Sequence, residues 1–250
     1  MRKLRFYILA IASVCAVACA DNAKKSDNAE YPTPIFSTFE YEHIDEGNYS
    51  FTISYERITN TADSQALAII DSMNYSLTFG EFATEDVDLQ RSAEMLVDEA
   101  YSSMMAFNTL NLECEMHIYQ VADVVRNNSV VRYDTVIDTD FGGIYPMITH
   151  NYECYDLASG NAYDFSYLND GEWYEALTAL LFEKLDKEYG SQFHITSPEY
   201  LHLPQVAYLT DEGLVFEYQT YEIGDAELGS ISVEVTDTEL EAVGAPLLWE

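Results

Sequence analysis

Apolar and polar residues alternate along several segments of the chain, and each alternation predicts a half-buried β-strand. The clearest example is 48–57, where four large apolar or aromatic residues are separated by polar ones. Three successive strands follow between 110 and 157 with short connections, an arrangement typical of an antiparallel meander. We expect strands at 48–57, 110–125, 130–137, 147–157, 206–209, 214–218 and 231–235.

Apolar residues at helical spacing predict amphipathic helices packed on sheet. The most regular stripe lies in 172–189, and Gly190 supplies a C-terminal stop for that helix. Another amphipathic segment runs to residue 107, and Thr84 is a suitable N-terminal cap for it. We expect helices at 63–77, 85–107, 172–189 and 238–243.

The first residues have the layout of a signal sequence. Three basic residues precede an apolar run at 6–18, which is too short to cross a bilayer of about 30 Å. Small residues then precede Cys19, as in lipoproteins, so we expect 1–18 to be removed and Cys19 to carry the lipid. The alternative is ordinary cleavage, which Ala16-Val17-Ala18 also permits. The polar, proline-containing segment 19–40 is expected to be a lipidated tether.

Acidic residues dominate the composition and restrict the partners. The formal net charge is −33, and the chain without 1–18 keeps eight of the 11 basic residues and all 44 acidic ones, or about −36. The electrostatic field of this charge repels nucleic acid, which excludes it as a partner, and attracts cationic proteins to the surface. An alternative is that the charge serves only solubility.

The sequence has no recognisable catalytic motif. No two of its five histidines lie three to five positions apart, so a helical zinc pair is absent. G-x-S-x-G, S-x-x-K and the phosphate-binding loop are also missing. With 44 carboxylates, accidental acidic pairs are too common to nominate a general acid and base. We therefore expect no enzymatic activity, no metal site and no cofactor.

Two cysteines, Cys114 and Cys154, lie in alternating segments of the predicted folded part. A disulfide between them is permitted in an oxidising compartment, but it requires their strands to lie side by side. Otherwise they are two separate buried thiols.

Several short motifs, in this order and spacing, resemble the RsiV-like envelope domain family. They are the Gly-Gly turn in 140–146, the Tyr and Asp-Leu-Ala-Ser-Gly positions in 151–160, and the C-terminal runs 208–216, 221–224 and 229–235. The resemblance divides the chain into an N-terminal module, 45–107, and an RsiV-like C-terminal domain, 108–245. The N-terminal module is similar in layout to the non-catalytic part of some peptidoglycan deacetylases.

The resemblance implies an α+β fold in which helices pack on antiparallel β-sheet, as two small lobes or one continuous domain. It also implies the absence of catalytic machinery and makes five residues candidates for ligand contact, although Tyr145 stands where the family usually has a histidine. The candidates are Gly142, Gly143, Tyr145, Tyr218 and Tyr221.

Anchoring, charge and resemblance together predict an exported lipoprotein of the cell envelope, attached to the outer rather than the inner membrane. Anti-sigma members of the resembled family carry a cytoplasmic sigma-binding segment and a membrane span ahead of this region. Only five residues precede the apolar run in this sequence, so their signalling role is not expected. The expected function is non-enzymatic binding of a lysozyme-like cationic protein or of peptidoglycan. The alternative is an enzyme that acts on cell-wall glycan through unrecognised carboxylates.

Overall fold

Eight strands and four helices form the part of the chain that the computed structural model describes, which is 31–45, 49–84, 86–107, 112–140 and 147–249. The strands are β1 (Phe36–Asp45), β2 (Tyr49–Ile58), β3 (Cys114–Val125), β4 (Val130–Asp140), β5 (Met147–Asp156), β6 (Val206–Leu209), β7 (Gly213–Tyr218) and β8 (Ile231–Thr236). The helices are α1 (Gln65–Phe79), α2 (Leu89–Phe107), α3 (Tyr174–Tyr189) and α4 (Asp237–Ala242).

Five strands form the larger sheet, in the order β1-β2-β3-β4-β5. The meander β3-β4-β5 is antiparallel as predicted, and β1 also runs antiparallel to β2. β2 and β3, however, are parallel, so the expectation of a wholly antiparallel sheet is wrong for this pair. Parallel neighbours need a long crossover connection, and α1 and α2 provide it.

One side of this sheet is buried under α1 and α2. The alternating residues of β2 have almost no exposed surface and pack with apolar residues of α2. Leu67 and Ile70 of α1 meet Tyr133 of β4 and Tyr155 of β5 in an adjoining cluster. The helical stripes predicted from the sequence therefore cover the apolar side of the strands.

β1 corrects the C-terminal limit of the expected tether. It pairs with β2 from Phe36 opposite Ile58 to Asp45 opposite Tyr49, so 36–40 belong to the sheet. Three of its ten residues are glutamate or aspartate at positions 40, 42 and 45, and the strand lies at the edge of the sheet. Charged residues are typical of edge strands, and they give the segment the polar character of a linker.

The smaller sheet has the antiparallel order β6-β7-β8, and α3 packs on it. Leu177, Leu181 and Leu185 of α3 share a core with residues of both sheets, including Val130 and Cys154. The two sheets belong to one compact unit, Glu30–Trp249. The α+β fold is confirmed. Of the two expected arrangements, the described residues form one continuous domain and not two small lobes. Residues on both sides of the expected boundary at 107–108 contribute to the same five-stranded sheet.

The helix ends show which side chains satisfy the terminal amides. α2 begins at Leu89 rather than directly after Thr84, because the Asp88 carboxylate accepts a hydrogen bond of 2.8 Å from the Arg91 amide. α4 begins with a capping box between Thr236 and Glu239.

No helix in the described ranges is long and apolar enough to span a membrane.

The strand register rules out a disulfide between Cys114 and Cys154. β4 separates their strands, and across the sheet Cys154 aligns with Arg132 and then with Asp123, nine residues along β3 from Cys114. At about 3.3 Å per residue, this offset is roughly 30 Å. Both cysteines are buried and are not bonded to each other, and the Cys154 sulfur accepts a hydrogen bond from the Leu209 amide.

Candidate functional site

The side of the five-stranded sheet opposite α1 and α2 is open to solvent over much of its area. The strand register places Tyr119, Val121 and Ile148 on this side, and their exposed fractions are 47%, 65% and 44%. We call this surface, formed by the alternate residues of β1–β5 that point away from the helices, the open face. Tyr119 and Val121 lie on the central strand β3, and Ile148 lies on the edge strand β5. Large exposed apolar side chains that share one face of a sheet are a frequent mark of an interaction site.

Two histidines on the open face are stacked on tyrosines of their own strands. His117 stacks on Tyr119 with ring centroids 5.9 Å apart, and His150 stacks on Tyr152 at 6.3 Å. Val136 lies between Tyr119 and His150 in the register of the three strands. Together His117, Tyr119, Val136, His150 and Tyr152 form a continuous aromatic and apolar strip across the face, which we call the apolar strip.

His117 also joins a short hydrogen-bonded chain. Its Nδ1 lies 2.7 Å from the Thr52 hydroxyl, and its Nε2 lies 3.5 Å from the Glu115 carboxylate. Hydroxyl, imidazole and carboxylate occur in this order in nucleophilic triads. Catalytic threonines are, however, activated by an N-terminal amine. We interpret these contacts as a cross-strand network that fixes the imidazole on the open face.

Carboxylates surround the apolar strip. Strands β1, β3 and β4 place seven of them on the open face by register and alternation, whereas Arg132 is the one guanidinium that these described strands add to it. The seven are Glu40, Glu42, Glu115, Asp123, Asp134, Asp138 and Asp140. The open face therefore combines an apolar centre with an anionic surround.

The smaller sheet covers one end of the open face, and a polar seam forms where the two sheets meet. Here Tyr152 of β5 stacks on Tyr208 of β6 with ring centroids 3.8 Å apart. The Arg132 guanidinium lies 5.3 Å from the Tyr208 ring centroid and donates a 3.1 Å hydrogen bond to the Leu209 carbonyl. We call this contact the intersheet seam. Its cation–π and stacking contacts hold β6 against the larger sheet.

Glu217 and Gln219 connect β7 and its C-terminal loop to His150. The Glu217 side chain is only 4% exposed, and its Oε1 lies 3.6 Å from Nδ1 of His150. The Gln219 side-chain amide accepts from the His150 N–H and donates to the His150 carbonyl, each at 3.0 Å. The pair of amide bonds reproduces the pairing of a neighbouring strand, so the position of His150 is set by both sheets.

Asp134 is the second acid of the intersheet seam. Burial raises the pKa of its carboxyl, while His150, Arg132 and a hydrogen bond with Tyr152 act in the opposite direction. Oδ1 of Asp134 and Oε1 of Glu217 have almost no solvent-accessible surface. A bound substrate would not reach these oxygens in this conformation, so the arrangement is better suited to joining the sheets than to catalysis.

The structure separates the residues predicted to contact a ligand. Tyr218 is completely buried and its hydroxyl donates a 2.9 Å hydrogen bond to the His202 carbonyl, so its prediction as a contact residue is wrong. Tyr221 is 53% exposed in the loop after Gln219, with a φ of 72°, and it stays a prediction. Cys19, Gly142, Gly143 and Tyr145 lie outside the described residues.

Sequence reasoning missed the residues of the open face. A signal was present in β3, where Tyr119 and Val121 are apolar although their neighbours Ile118 and Gln120 face the helices. Apolar residues on both sides of a strand indicate that both sides meet a partner.

Among the described residues, no group of three or more histidine, cysteine, aspartate or glutamate side chains is placed to hold a metal.

Comparisons with known proteins identify the fold. No protein family model matches the chain, and no curated protein matches it. A solved structure of a DUF3298 family member from Bacteroides fragilis NCTC 9343 is similar, with a TM-score of 0.66 and 16% identity over 83% of this chain and 92% of that one. A DUF3298 family protein from Pseudomonas aeruginosa PAO1 gives a TM-score of 0.53 and 14% identity over 84% and 94%. This chain therefore shares the fold of DUF3298 family proteins.

Proposed function

We propose that this chain is an envelope lipoprotein, anchored through Cys19, whose folded part binds a cationic protein through the open face and catalyses no reaction. The observation that carries the proposal is the set of exposed apolar residues in and beside the strip, Tyr119, Val121 and Ile148, within an anionic surround. Protein interfaces commonly have an apolar centre and a polar rim. The open face has this composition, and all of its residues come from one chain.

Charge selects the class of partner. The chain has a formal charge of −33, and its open face repeats that sign locally. An anionic surface accelerates encounter with cationic proteins and repels anionic ones. The apolar strip then provides the short-range contact that charge alone lacks.

Anchoring and family support the choice of a lysozyme-like partner. The basic start, the apolar run and Cys19 have the order of a lipoprotein signal, and the motifs described above resemble the RsiV-like family, which has a lysozyme-binding member. Lysozyme is strongly cationic, so its charge is complementary to that of the open face. We therefore take lysozyme as the first partner to test.

The test is retention of lysozyme by the immobilised protein at low and at physiological salt, with two variants of equal charge change. Val121→Lys places a positive charge on the open face beside Tyr119 of the apolar strip. Leu248→Lys introduces the same charge at a position of similar exposure, 58% against 65%, outside the strip. We expect Val121→Lys to weaken binding about tenfold or more, or at least 1.4 kcal/mol, and Leu248→Lys to have a much smaller effect.

Two results would contradict this proposal. Lysozyme that is not retained at either salt concentration would remove the proposed partner. Equal losses for Val121→Lys and Leu248→Lys would show that binding depends on total charge alone and not on the open face.

An enzyme that acts on cell-wall glycan is the second candidate, and it requires a conformation in which substrate reaches the acids of the intersheet seam. Asp134 has a raised pKa and lies in the same seam as the buried Glu217. Such an environment is common at catalytic sites. Release of soluble fragments from purified peptidoglycan, abolished by Asp134→Asn, would establish the enzyme and overturn the non-enzymatic proposal.

A further inference from the structure

A separate cleft lies on the helix-covered side of the larger sheet, away from the open face. Its volume is about 460 Å³, and it is bounded by the end of β2, by α1 and by the connection that leads into α2. This volume lies within the usual range for small-molecule sites. The lining residues are Tyr55, Arg57, Thr61, Ala68, Asp71, Ser72, Tyr75, Ser76, Ala83, Thr84, Val87, Asp88 and Leu89.

One wall of the cleft carries an ion pair between Arg57 and Asp71. The guanidinium Nη2 lies 3.4 Å from Oδ2 of Asp71, while Oδ1 of Asp71 accepts a 2.8 Å hydrogen bond from the Ile58 amide. Asp71 is therefore held by the backbone of β2. The Arg57 side chain is 44% exposed, and a guanidinium has five N–H donors. The wall therefore places guanidinium N–H donors beside a carboxylate that the backbone holds in position.

The other walls supply an aromatic ring and several hydroxyl groups. The Tyr75 hydroxyl is held 2.5 Å from the Ser92 hydroxyl and 3.3 Å from the Val87 carbonyl. Ser72 and Ser76 are exposed, lie four residues apart on the same side of α1, and both line the cleft. The position of the Tyr75 side chain is therefore fixed, and Ser72 and Ser76 add two hydroxyl groups to the wall formed by α1.

Charge within the cleft argues against a charged ligand. Arg57 would repel a cation, and the carboxylates of Asp71 and Asp88 are already engaged by backbone amides. An anion would face both carboxylates and the field of a chain with a formal charge of −33. The chemistry that fits is neutral, rich in hydroxyl groups and apolar on one face.

We propose that this cleft binds a neutral saccharide, one or two rings of an envelope glycan. Arg57, Asp71 and the serine hydroxyls would hydrogen-bond to the sugar hydroxyls, and Tyr75 would contact an apolar ring face. The inference is independent of the protein partner proposed above, because the cleft and the open face lie on opposite sides of the sheet. A failure of one proposal therefore leaves the other testable.

The experiment is titration of the purified protein with N,N′-diacetylchitobiose, followed by two-dimensional NMR and by calorimetry. Ser72→Trp is designed to fill the cleft from α1. Met73→Trp is its matched control, because this neighbouring exposed residue of the same helix does not line the cleft. Arg57→Gln removes the guanidinium while keeping an amide donor.

We expect saturable binding by the unmodified protein, with shifts confined to residues that line the cleft. Ser72→Trp should weaken binding by about tenfold or more, Arg57→Gln should weaken it by a smaller factor, and Met73→Trp should leave it unchanged. The thermal midpoint of each variant shows that it is folded. Absence of saturation at about 10 mM disaccharide, or undiminished binding by folded Ser72→Trp, would overturn the proposal.

Discussion

Replacement of Glu153 by glutamine should make the protein more stable at neutral and alkaline pH. Glu153 lies on β5 opposite Tyr133, on the side of the sheet that α1 covers. Burial raises the pKa of its carboxyl from 4.5 to about 7. The folded protein therefore binds this proton more tightly than the unfolded chain does. Glu153→Gln keeps the shape of the protonated side chain and removes the charge.

The magnitude follows from the size of the pKa shift. A shift from 4.5 to about 7 corresponds to at most about 3 kcal/mol, at 1.36 kcal/mol for each pKa unit. Because the folded pKa is raised, the favourable contribution is complete below pH 4.5 and is lost as the pH rises through about 7. Partial exposure of the side chain reduces the effect, so we expect about 1–3 kcal/mol above pH 8.

Urea unfolding measures this effect directly. The free energy of unfolding of the unmodified protein and of Glu153→Gln should be similar near pH 4.5 and should diverge toward pH 8, with the variant more stable. Glu183→Gln is the control, because it removes one exposed carboxylate from α3 and leaves the buried one in place. The difference between the two variants corrects for the general repulsion of a highly acidic chain.

Parallel stability curves for Glu153→Gln and the unmodified protein from pH 4.5 to 8 would refute the reasoning. That result would mean that Glu153 is ionised in the folded protein as readily as in the unfolded chain. Equal gains for Glu153→Gln and Glu183→Gln would assign the effect to total charge and not to burial.

Two further substitutions test contacts that secure the smaller sheet. Tyr218→Phe removes the hydroxyl that donates to the His202 carbonyl, and we expect a loss of about 1 kcal/mol in unfolding free energy with unchanged lysozyme retention. Altered lysozyme retention by folded protein would restore Tyr218 as a contact residue. Thr236→Ala removes the capping box with Glu239 and should lower the thermal midpoint through a loss of about 1 kcal/mol, whereas Thr236→Ser should retain most of the stability. Equal midpoints for the two variants would contradict the capping role.

The sequence predicts most elements of this fold because local periodicity determines which side of an element is apolar. The apolar stripe of α3 and the alternate apolar residues of β2 each face a single core. The sequence therefore predicts both elements close to their observed limits. β1 was missed because an edge strand is paired on one side only, and the carboxylates suited to its exposed positions are also typical of a tether.

The order of strands and the candidate site depend on tertiary structure. Alternation in β2 and β3 predicts two strands, but it does not determine that they lie side by side and parallel. The exposed positions of β3 become a surface only because both helices pack on the opposite side. Tyr218 illustrates the reverse case, since the family resemblance makes it a candidate contact residue, whereas its side chain is buried and its hydroxyl donates to the His202 carbonyl.

The parallel pairing of β2 with β3 has a consequence for the order of folding. Its first register pair joins Tyr49 to Cys114, so α1 and α2 must be synthesised before the sheet can be completed through this pair. The hairpin of β1 and β2 and the meander β3-β4-β5 are local, and each can form without the other. We expect their union across the α1–α2 crossover to be the slow step of folding, and a chain truncated before β3 would leave an edge of β2 open to aggregation.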